Sequence, residues 1–116
     1  MRYTGLRHIS LKTRDLEKTK AFWTEVLGLK LAFRPPPKRV FLHSPGSRDL
    51  IDFVKSEDKP DPNSGLDHFG LKVSRAVLKQ IEKRLKENGV EIEGRRGRDS
   101  IYFRDPNGYW VEFYCD

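Results

Sequence analysis

Apolar and polar residues alternate in several short runs of the chain. In residues 5–12, Ile9 and Leu11 fall on one face, while His8 and Ser10 fall on the other. Period-two alternation is typical of a strand with one buried face. Alternating or compact apolar runs predict further strands at 29–33, 39–43, 50–54, 66–73, 90–93, 100–104 and 109–114.

Two segments have the spacing of amphipathic helices instead. Asp15 is suited to cap the first helix, and Gly28 to end it in the left-handed conformation. Ser74 is suited to cap the second helix, which Asn88 and Gly89 end. The residues expected on the buried sides are Leu16, Phe22, Trp23, Val26 and Leu27 in the first helix, and Val77, Leu78, Ile81 and Leu85 in the second.

The segments between these elements have the composition of turns and linkers. Pro35–Pro37 cannot continue a sheet and predicts a stiff connection. Ser44–Ser47 and Asp105–Gly108 are predicted turns, and the Asn-Gly pair in the latter is a strong hairpin signal. Residues 57–65 are polar and rich in proline and glycine, so they are the expected linker between two halves.

The two halves share a sequence repeat. The frame Leu-x-His-x-x-Leu-Lys contains His8 and occurs again around His68, and Asp52 recurs as Glu112, with a shift of 60 residues in both cases. Such self-similarity is typical of duplicated supersecondary units. The predicted fold class is therefore α+β, with two paired βαβββ modules, at 1–56 and 66–116, forming cupped mixed sheets in a single domain of residues 1–116.

Composition adds limits on compartment and partners. The chain has 34% charged residues, a net charge of +6 and a single cysteine, Cys115, so no internal disulfide is possible. We expect a cytoplasmic protein, since disulfides are rare there and no apolar run is long enough to span a membrane. The positive charge favours an anionic small molecule. Nucleic acid is not an expected partner, because no helix carries basic residues interleaved with aromatic ones.

The repeated residues are candidate metal ligands. His8, His68, Asp52 and Glu112 all oppose strongly apolar neighbours on their strands, so they are expected on the face away from the helices. Imidazole and carboxylate groups that converge in this way suit a divalent metal. Taken singly, each is as readily a satisfied polar strand residue. For Ser10, a role in the pocket and an ordinary strand position are both open, and for Tyr102 core packing is the alternative.

These residues resemble the vicinal oxygen chelate superfamily, which includes glyoxalase I, fosfomycin-resistance thiol transferases, extradiol dioxygenases and bleomycin-resistance proteins. The resemblance covers nearly the whole chain. Besides the repeated histidines and acids, it includes Asp15-Leu16, Ala21-Phe22-Trp23, Val26-Leu27-Gly28 and the tail from Asp105 to Glu112.

The resemblance implies roles for individual residues. His8, His68 and Glu112 match the three metal ligands of the metal-dependent branches, while Asp52 falls where glyoxalase I has a glutamate that ligates and transfers a proton. Ser10 and Tyr102 match substrate-contacting residues of the fosfomycin-resistance branch. The potassium-binding loop of that branch is not recognisable in residues 94–99, which counts against fosfomycin as the substrate.

The resulting expectation is a metal-dependent enzyme, foremost a glyoxalase-I-like lyase or isomerase acting on a small, oxygenated, anionic molecule. Its catalytic residues would be Asp52, Glu112, Ser10 and Tyr102, around a cavity holding a zinc, nickel, cobalt, manganese or iron ion. The alternatives are a thiol transferase or dioxygenase with Asp52 off the metal, and a metal-free binding protein. A homodimer is expected, with His8 of one subunit joining His68 and Glu112 of the other.

Overall fold

The computed structural model describes residues 1–33, 38–62 and 64–116. The predicted connection at Pro35–Pro37 lies outside the described residues. The chain divides into two compact units, Met1–Pro60 and Asp61–Asp116. The elements are β1 (His8–Thr13), α1 (Leu16–Ala21), a π-helical turn (Phe22–Val26), β2 (Lys30–Phe33), β3 (Arg39–His43), β4 (Leu50–Lys55), β5 (Phe69–Lys72), α2 (Arg75–Glu87), β6 (Gly94–Arg96), β7 (Ser100–Arg104) and β8 (Trp110–Tyr114).

The first unit contains one four-stranded mixed sheet. Its strand order is β1-β4-β3-β2, with β1 and β4 parallel and the other pairs antiparallel. One face of this sheet is apolar and buried, through Leu11, Val40, Leu42, Ile51 and Phe53. The predicted alternation in the first strand is confirmed, since Leu11 is buried while His8 and Ser10 are exposed.

The helical segment of the first unit begins as predicted but does not continue as a regular α-helix. Asp15 caps it by accepting a hydrogen bond from the Lys18 backbone N–H at 3.0 Å. After Ala21 the chain widens into a π-helical turn, in which the Leu27 N–H bonds to the Phe22 carbonyl. This turn places Trp23 fully inside, against Phe53, with 5.7 Å between the ring centroids.

The second unit repeats this plan in the order β5-β8-β7-β6, with β5 and β8 parallel. Ser74 caps α2, as predicted, by accepting a hydrogen bond from Val77 N–H at 3.2 Å. Leu78, Ile81 and Leu85 are buried. The prediction that Val77 is also buried is wrong, because its side chain is 37% exposed in the first turn of the helix.

The predicted strand at 90–93 is also wrong, since β6 comprises Gly94–Arg96. The cause is the end of α2. Gly89 adopts a φ of 71°, and the Val90 N–H bonds back to the Leu85 carbonyl at 2.8 Å. Together with the bond from the Gly89 N–H to the Lys86 carbonyl, this bond satisfies carbonyls in the last turn of the helix. The Val90 N–H is then not available for strand pairing, so pairing with β7 begins only at the Glu93 N–H.

The predicted fold class is confirmed: two four-stranded mixed sheets, each with a helical segment, form an α+β protein. Within the described ranges, no helix is long and apolar enough to cross a membrane.

Candidate metal centre

The second unit brings one predicted histidine–carboxylate pair together. Glu112 lies on the central strand β8, between Gly70 and Tyr102 in register, and is only 8% exposed. His68 immediately precedes β5, and its Nε2 lies 3.4 Å from Glu112 Oε1. Two donors that are each about 2.1 Å from a tetrahedral ion lie about 3.4 Å from one another. The pair therefore fits two ligands of one divalent ion.

The orientation of the His68 ring is fixed from its other side. Its Nδ1 lies 2.7 Å from Asp67 Oδ2. A carboxylate accepts the hydrogen bond, so Nδ1 carries a proton, and in the neutral imidazole the Nε2 lone pair faces Glu112. A carboxylate behind the histidine is the usual outer partner of a metal-ligating imidazole.

Aromatic rings surround this histidine. The Tyr102 and Trp110 rings meet it edge-on, with centroids at 5.3 and 6.2 Å, and the Arg104 guanidinium lies over the Trp110 ring at 5.4 Å. Within the part of the chain that the structure describes, the buried Trp110 Nε1 has no hydrogen-bond partner. A cleft of about 350 Å³ adjoins these rings, lined by Gly65, Leu66, Asp67, Arg104 and Trp110.

A cation accompanies Glu112. Arg96 Nη2 lies 3.3 Å from Glu112 Oε2, and the Arg96 side chain is 61% exposed. The hydrogen bond with Glu112, and to a smaller extent one with Tyr102, raises the pKa of Arg96. Arg96 therefore stays charged, and its largely exposed side chain lies beside the candidate ligands, where it can meet an anion.

Gly70 leaves little unused space in front of Glu112. A Cβ built at Gly70 would lie 3.2 Å from Tyr114 Cε1 and 3.4 Å from Glu112 Oε1. Its counterpart at the repeat shift is Ser10, so the two halves differ at this position. The glycine lets the Tyr114 ring and the carboxylate lie directly against the β5 backbone.

The repeated carboxylate of the first unit has different hydrogen-bond partners. Asp52, on the central strand β4, is 1% exposed. Its Oδ2 accepts hydrogen bonds from Ser10 Oγ at 2.7 Å and from Arg39 Nη1 at 3.0 Å. The apolar pattern predicts Arg39 only as the first residue of the strand at 39–43, so its role as the partner of Asp52 is missed. The only signal for it is that Arg39 shares a strand face with the acid, which requires the strand pairing to be known.

His8 lies at the start of β1, exposed and opposite Leu50, while Ser10 lies opposite Asp52. Of the four predicted ligands, His68 and Glu112 therefore form a close pair in the second unit, whereas His8 and Asp52 occupy separate positions in the first. Among residues 1–33, 38–62 and 64–116, no three His, Cys, Asp or Glu side chains gather closely enough to hold a metal by themselves. His68 and Glu112 together fit a metal, whereas in the first unit the Oδ2 of Asp52 is engaged by Ser10 and Arg39.

Comparison with known proteins identifies the family. The family model described as "Glyoxalase/Bleomycin resistance protein/Dioxygenase superfamily" matches residues 5–113. The chain is 28% identical over 113 residues to glutathione transferase FosA of Serratia marcescens, covering 95% of this chain and 79% of that protein.

Solved structures agree on the fold. An integron cassette protein, HFX_CASS4, from the metagenome of the Halifax Harbour sewage outfall superposes with a TM-score of 0.80 at 27% identity, covering 98% of this chain and all of that one. A fosfomycin resistance protein, FosX, from Listeria monocytogenes, complexed with Mn(II) and a dihydroxypropylphosphonic acid, has a TM-score of 0.78 at 23% identity, with 98% and 93% covered. The resemblance seen in the sequence is confirmed: the chain belongs to the glyoxalase/bleomycin resistance protein/dioxygenase superfamily.

Proposed function

We propose that this protein is a metal-dependent enzyme that acts on a small, oxygen-bearing anion. His68 and Glu112 supply two ligands of the ion, and the third is assigned to His8 from the sequence repeat. The observation that carries the proposal is the 3.4 Å separation of His68 Nε2 and Glu112 Oε1, with Nδ1 already held by Asp67. Imidazole and carboxylate ligands suit zinc, nickel, cobalt, manganese or iron alike.

The ion, when bound, supplies a Lewis acid that stabilises developing negative charge on the substrate. The surrounding side chains bind and orient that substrate. Arg96 offers a fixed positive charge next to Glu112, which suits a carboxylate, phosphonate or phosphate group. The Tyr102 and Trp110 rings reduce access of water to the histidine and to the reacting atoms.

The position of Asp52 bears on the type of reaction. A glyoxalase-type isomerase would use this residue as ligand or base, but its Oδ2 already accepts hydrogen bonds from Ser10 and Arg39. Asp52 Oδ2 is therefore occupied by two donors of the same unit. This geometry favours the three-ligand alternative. We therefore infer addition of a thiol to an electrophilic carbon of the substrate, an activity of the kind named for the Serratia relative. The new S–C bond replaces one C–O bond of an epoxide, or the π bond of a carbonyl, and the oxygen that keeps the electron pair takes up the thiol proton.

A homodimer is part of the proposal. Each half of the chain supplies only one histidine and one acid of the repeated set, so completing a site requires two halves, and the short linker at residues 57–65 favours taking them from two subunits. We expect sedimentation velocity at micromolar concentration to show a dimer when metal is bound. A monomer that retains its metal would contradict this arrangement.

The reaction is tested by following loss of free thiol from glutathione or cysteine in the presence of small epoxide-bearing or carbonyl-bearing anions. Turnover is expected with added divalent metal and should disappear with a chelator. Arg96→Gln should raise KM more than it lowers kcat, with an effect that weakens in salt, because the charge acts in capture. Arg98→Gln is the matched control on the neighbouring exposed surface. Turnover that is indifferent to chelator would refute the proposal.

A further inference from the structure

The first sheet carries a continuous row of side chains across all four of its strands. Register places Ser10 opposite Asp52, Asp52 opposite Phe41, and Phe41 opposite Phe33. These residues lie on the face away from the α1 segment, because Val40, Leu42, Ile51 and Phe53 occupy the other. The row contains a hydroxyl, an acid and two phenyl rings.

The corresponding row of the second sheet runs through Gly70, Glu112, Tyr102 and Gly94. Glycine therefore stands where the first sheet has Ser10 and Phe33. Each acid has an arginine beside it, Arg96 at Glu112 and Arg39 at Asp52, and in the second sheet His68 also lies next to the acid. The two rows have diverged: the second has the chemistry of a metal site and the first has not.

The ion pair with Asp52 engages only part of the Arg39 guanidinium. The contact between Arg39 Nη1 and Asp52 Oδ2 uses one of the five N–H donors of the guanidinium. The acid is 1% exposed, whereas the Arg39 side chain is 41% exposed. A buried carboxylate thus orients a guanidinium whose remaining donors are open to an incoming oxyanion, which is the arrangement that a planar, bidentate anion site needs.

An apolar surface lies next to this cation. The Phe33 and Phe41 rings stack with centroids 4.3 Å apart and an interplanar angle of 20°. Phe33 remains 50% exposed. Arg39 and Phe41 are two residues apart on one strand face, so they lie about 7 Å from each other. A flat ring bearing a carboxylate can therefore contact the phenyl surface and the guanidinium together.

We propose that Arg39, oriented by Asp52, and the Phe33–Phe41 pair form a binding site for the aromatic carboxylate class of ligand. Arg39 supplies the charge contact, the phenyl pair supplies the apolar contact, and Asp52 is a positioning residue. As a substrate subsite, this site rests on the proposed function. As a binding site it requires no metal.

The experiment titrates 1-naphthoate into 15N-labelled protein and follows backbone and arginine Nε–Hε resonances by NMR, first with the protein as purified and then after chelation. Shifts are expected at Phe33, Phe41 and Arg39. Arg39→Gln should weaken 1-naphthoate at least tenfold, and Arg39→Lys should weaken it less. Arg48→Gln, which changes an exposed arginine in the connection between β3 and β4, is the matched control and should bind as the wild type does.

Two further measurements keep the outcome unambiguous. Naphthalene-1-methanol, which lacks the carboxylate, should bind equally weakly to the wild type and to Arg39→Gln. The double variant Arg39→Gln/Asp52→Asn, which strands no buried charge, should be as defective toward 1-naphthoate as Arg39→Gln. Equal 1-naphthoate affinity in the wild type and in both Arg39→Gln backgrounds would overturn the site. If this binding persists in a protein that takes up no metal, the proposed function fails and the Arg39 site stands.

Discussion

Replacing Arg39 should lower the free energy of unfolding more than replacing its partner Asp52. Asp52 is 1% exposed and Arg39 is 41% exposed. Arg39→Gln leaves a buried carboxylate that keeps the hydrogen bond from Ser10 but loses its ion pair, and an uncompensated buried charge costs about 3–5 kcal/mol. Asp52→Asn leaves a guanidinium that already reaches water. We expect it to cost about 1–2 kcal/mol, as charge-assisted hydrogen bonds become neutral ones.

The double variant gives the sharper test of this reasoning. In Arg39→Gln/Asp52→Asn neither residue carries a charge, so the penalty for an unpaired buried carboxylate disappears. We expect it to be more stable than Arg39→Gln alone, with a coupling free energy of about 2 kcal/mol.

Urea unfolding of the four proteins measures these free energies, and thermal unfolding provides a check, since each kcal/mol corresponds to about 3–6 °C in Tm for a chain of this size. Arg48→Gln should stay within about 0.5 kcal/mol of the wild type. Additive effects, with Arg39→Gln costing no more than Asp52→Asn, would refute the reasoning. Asp52 would then not depend on Arg39 and would be available as a metal ligand.

Two further outcomes follow from the second unit. Gly70→Ala should lower stability by about 1–3 kcal/mol in thermal unfolding, since its Cβ would lie 3.2 Å from a tyrosine ring. Gly94→Ala is the control and should be close to neutral, because the nearest atom to its Cβ would be 3.5 Å away. Equal losses of stability in the two variants would contradict the packing argument. The hydrogen bond from Arg95 holds the pKa of Glu82 below its usual range. A lowered folded-state pKa contributes stability that is present above the unfolded value and is lost as pH falls through the folded one. Glu82→Gln should therefore reduce the fall in Tm between about pH 5 and pH 3, whereas Glu91→Gln should not; an unchanged pH profile for Glu82→Gln would count against it.

Periodicity and the internal repeat were enough to predict most of the fold and to bring His68 and Glu112 into one hypothesis. Alternation placed Glu112 on the face away from the helix, and the repeat paired it with His68. The structure brings these two within 3.4 Å. Both signals are local or depend on a fixed shift, so they can be recognised without knowing which strands are neighbours.

The remaining features depend on tertiary contacts that periodicity does not encode. Arg39 reaches Asp52 from an adjacent strand through a long side chain, and no sequence spacing links the two. The π-helical turn places Trp23 against Phe53, a contact that the sequence pattern does not encode. The late start of β6 follows from hydrogen bonding at Val90, where the end of a helix competes with strand pairing.

The most direct test of the proposed metal centre is the metal content of the purified protein, measured by inductively coupled plasma mass spectrometry after loading with manganese, iron, cobalt, nickel or zinc. We expect about one ion per chain in the wild type and in Asp52→Asn, because metal binding requires the ligands themselves. Glu112→Gln should lower metal affinity on the order of 100-fold or more, since changes in the outer shell alone cost 10–100-fold. Its stability should change little, because Arg96 is already exposed. Loss of metal in Asp52→Asn to the same extent as in Glu112→Gln, or a wild type that takes up none, would contradict the account.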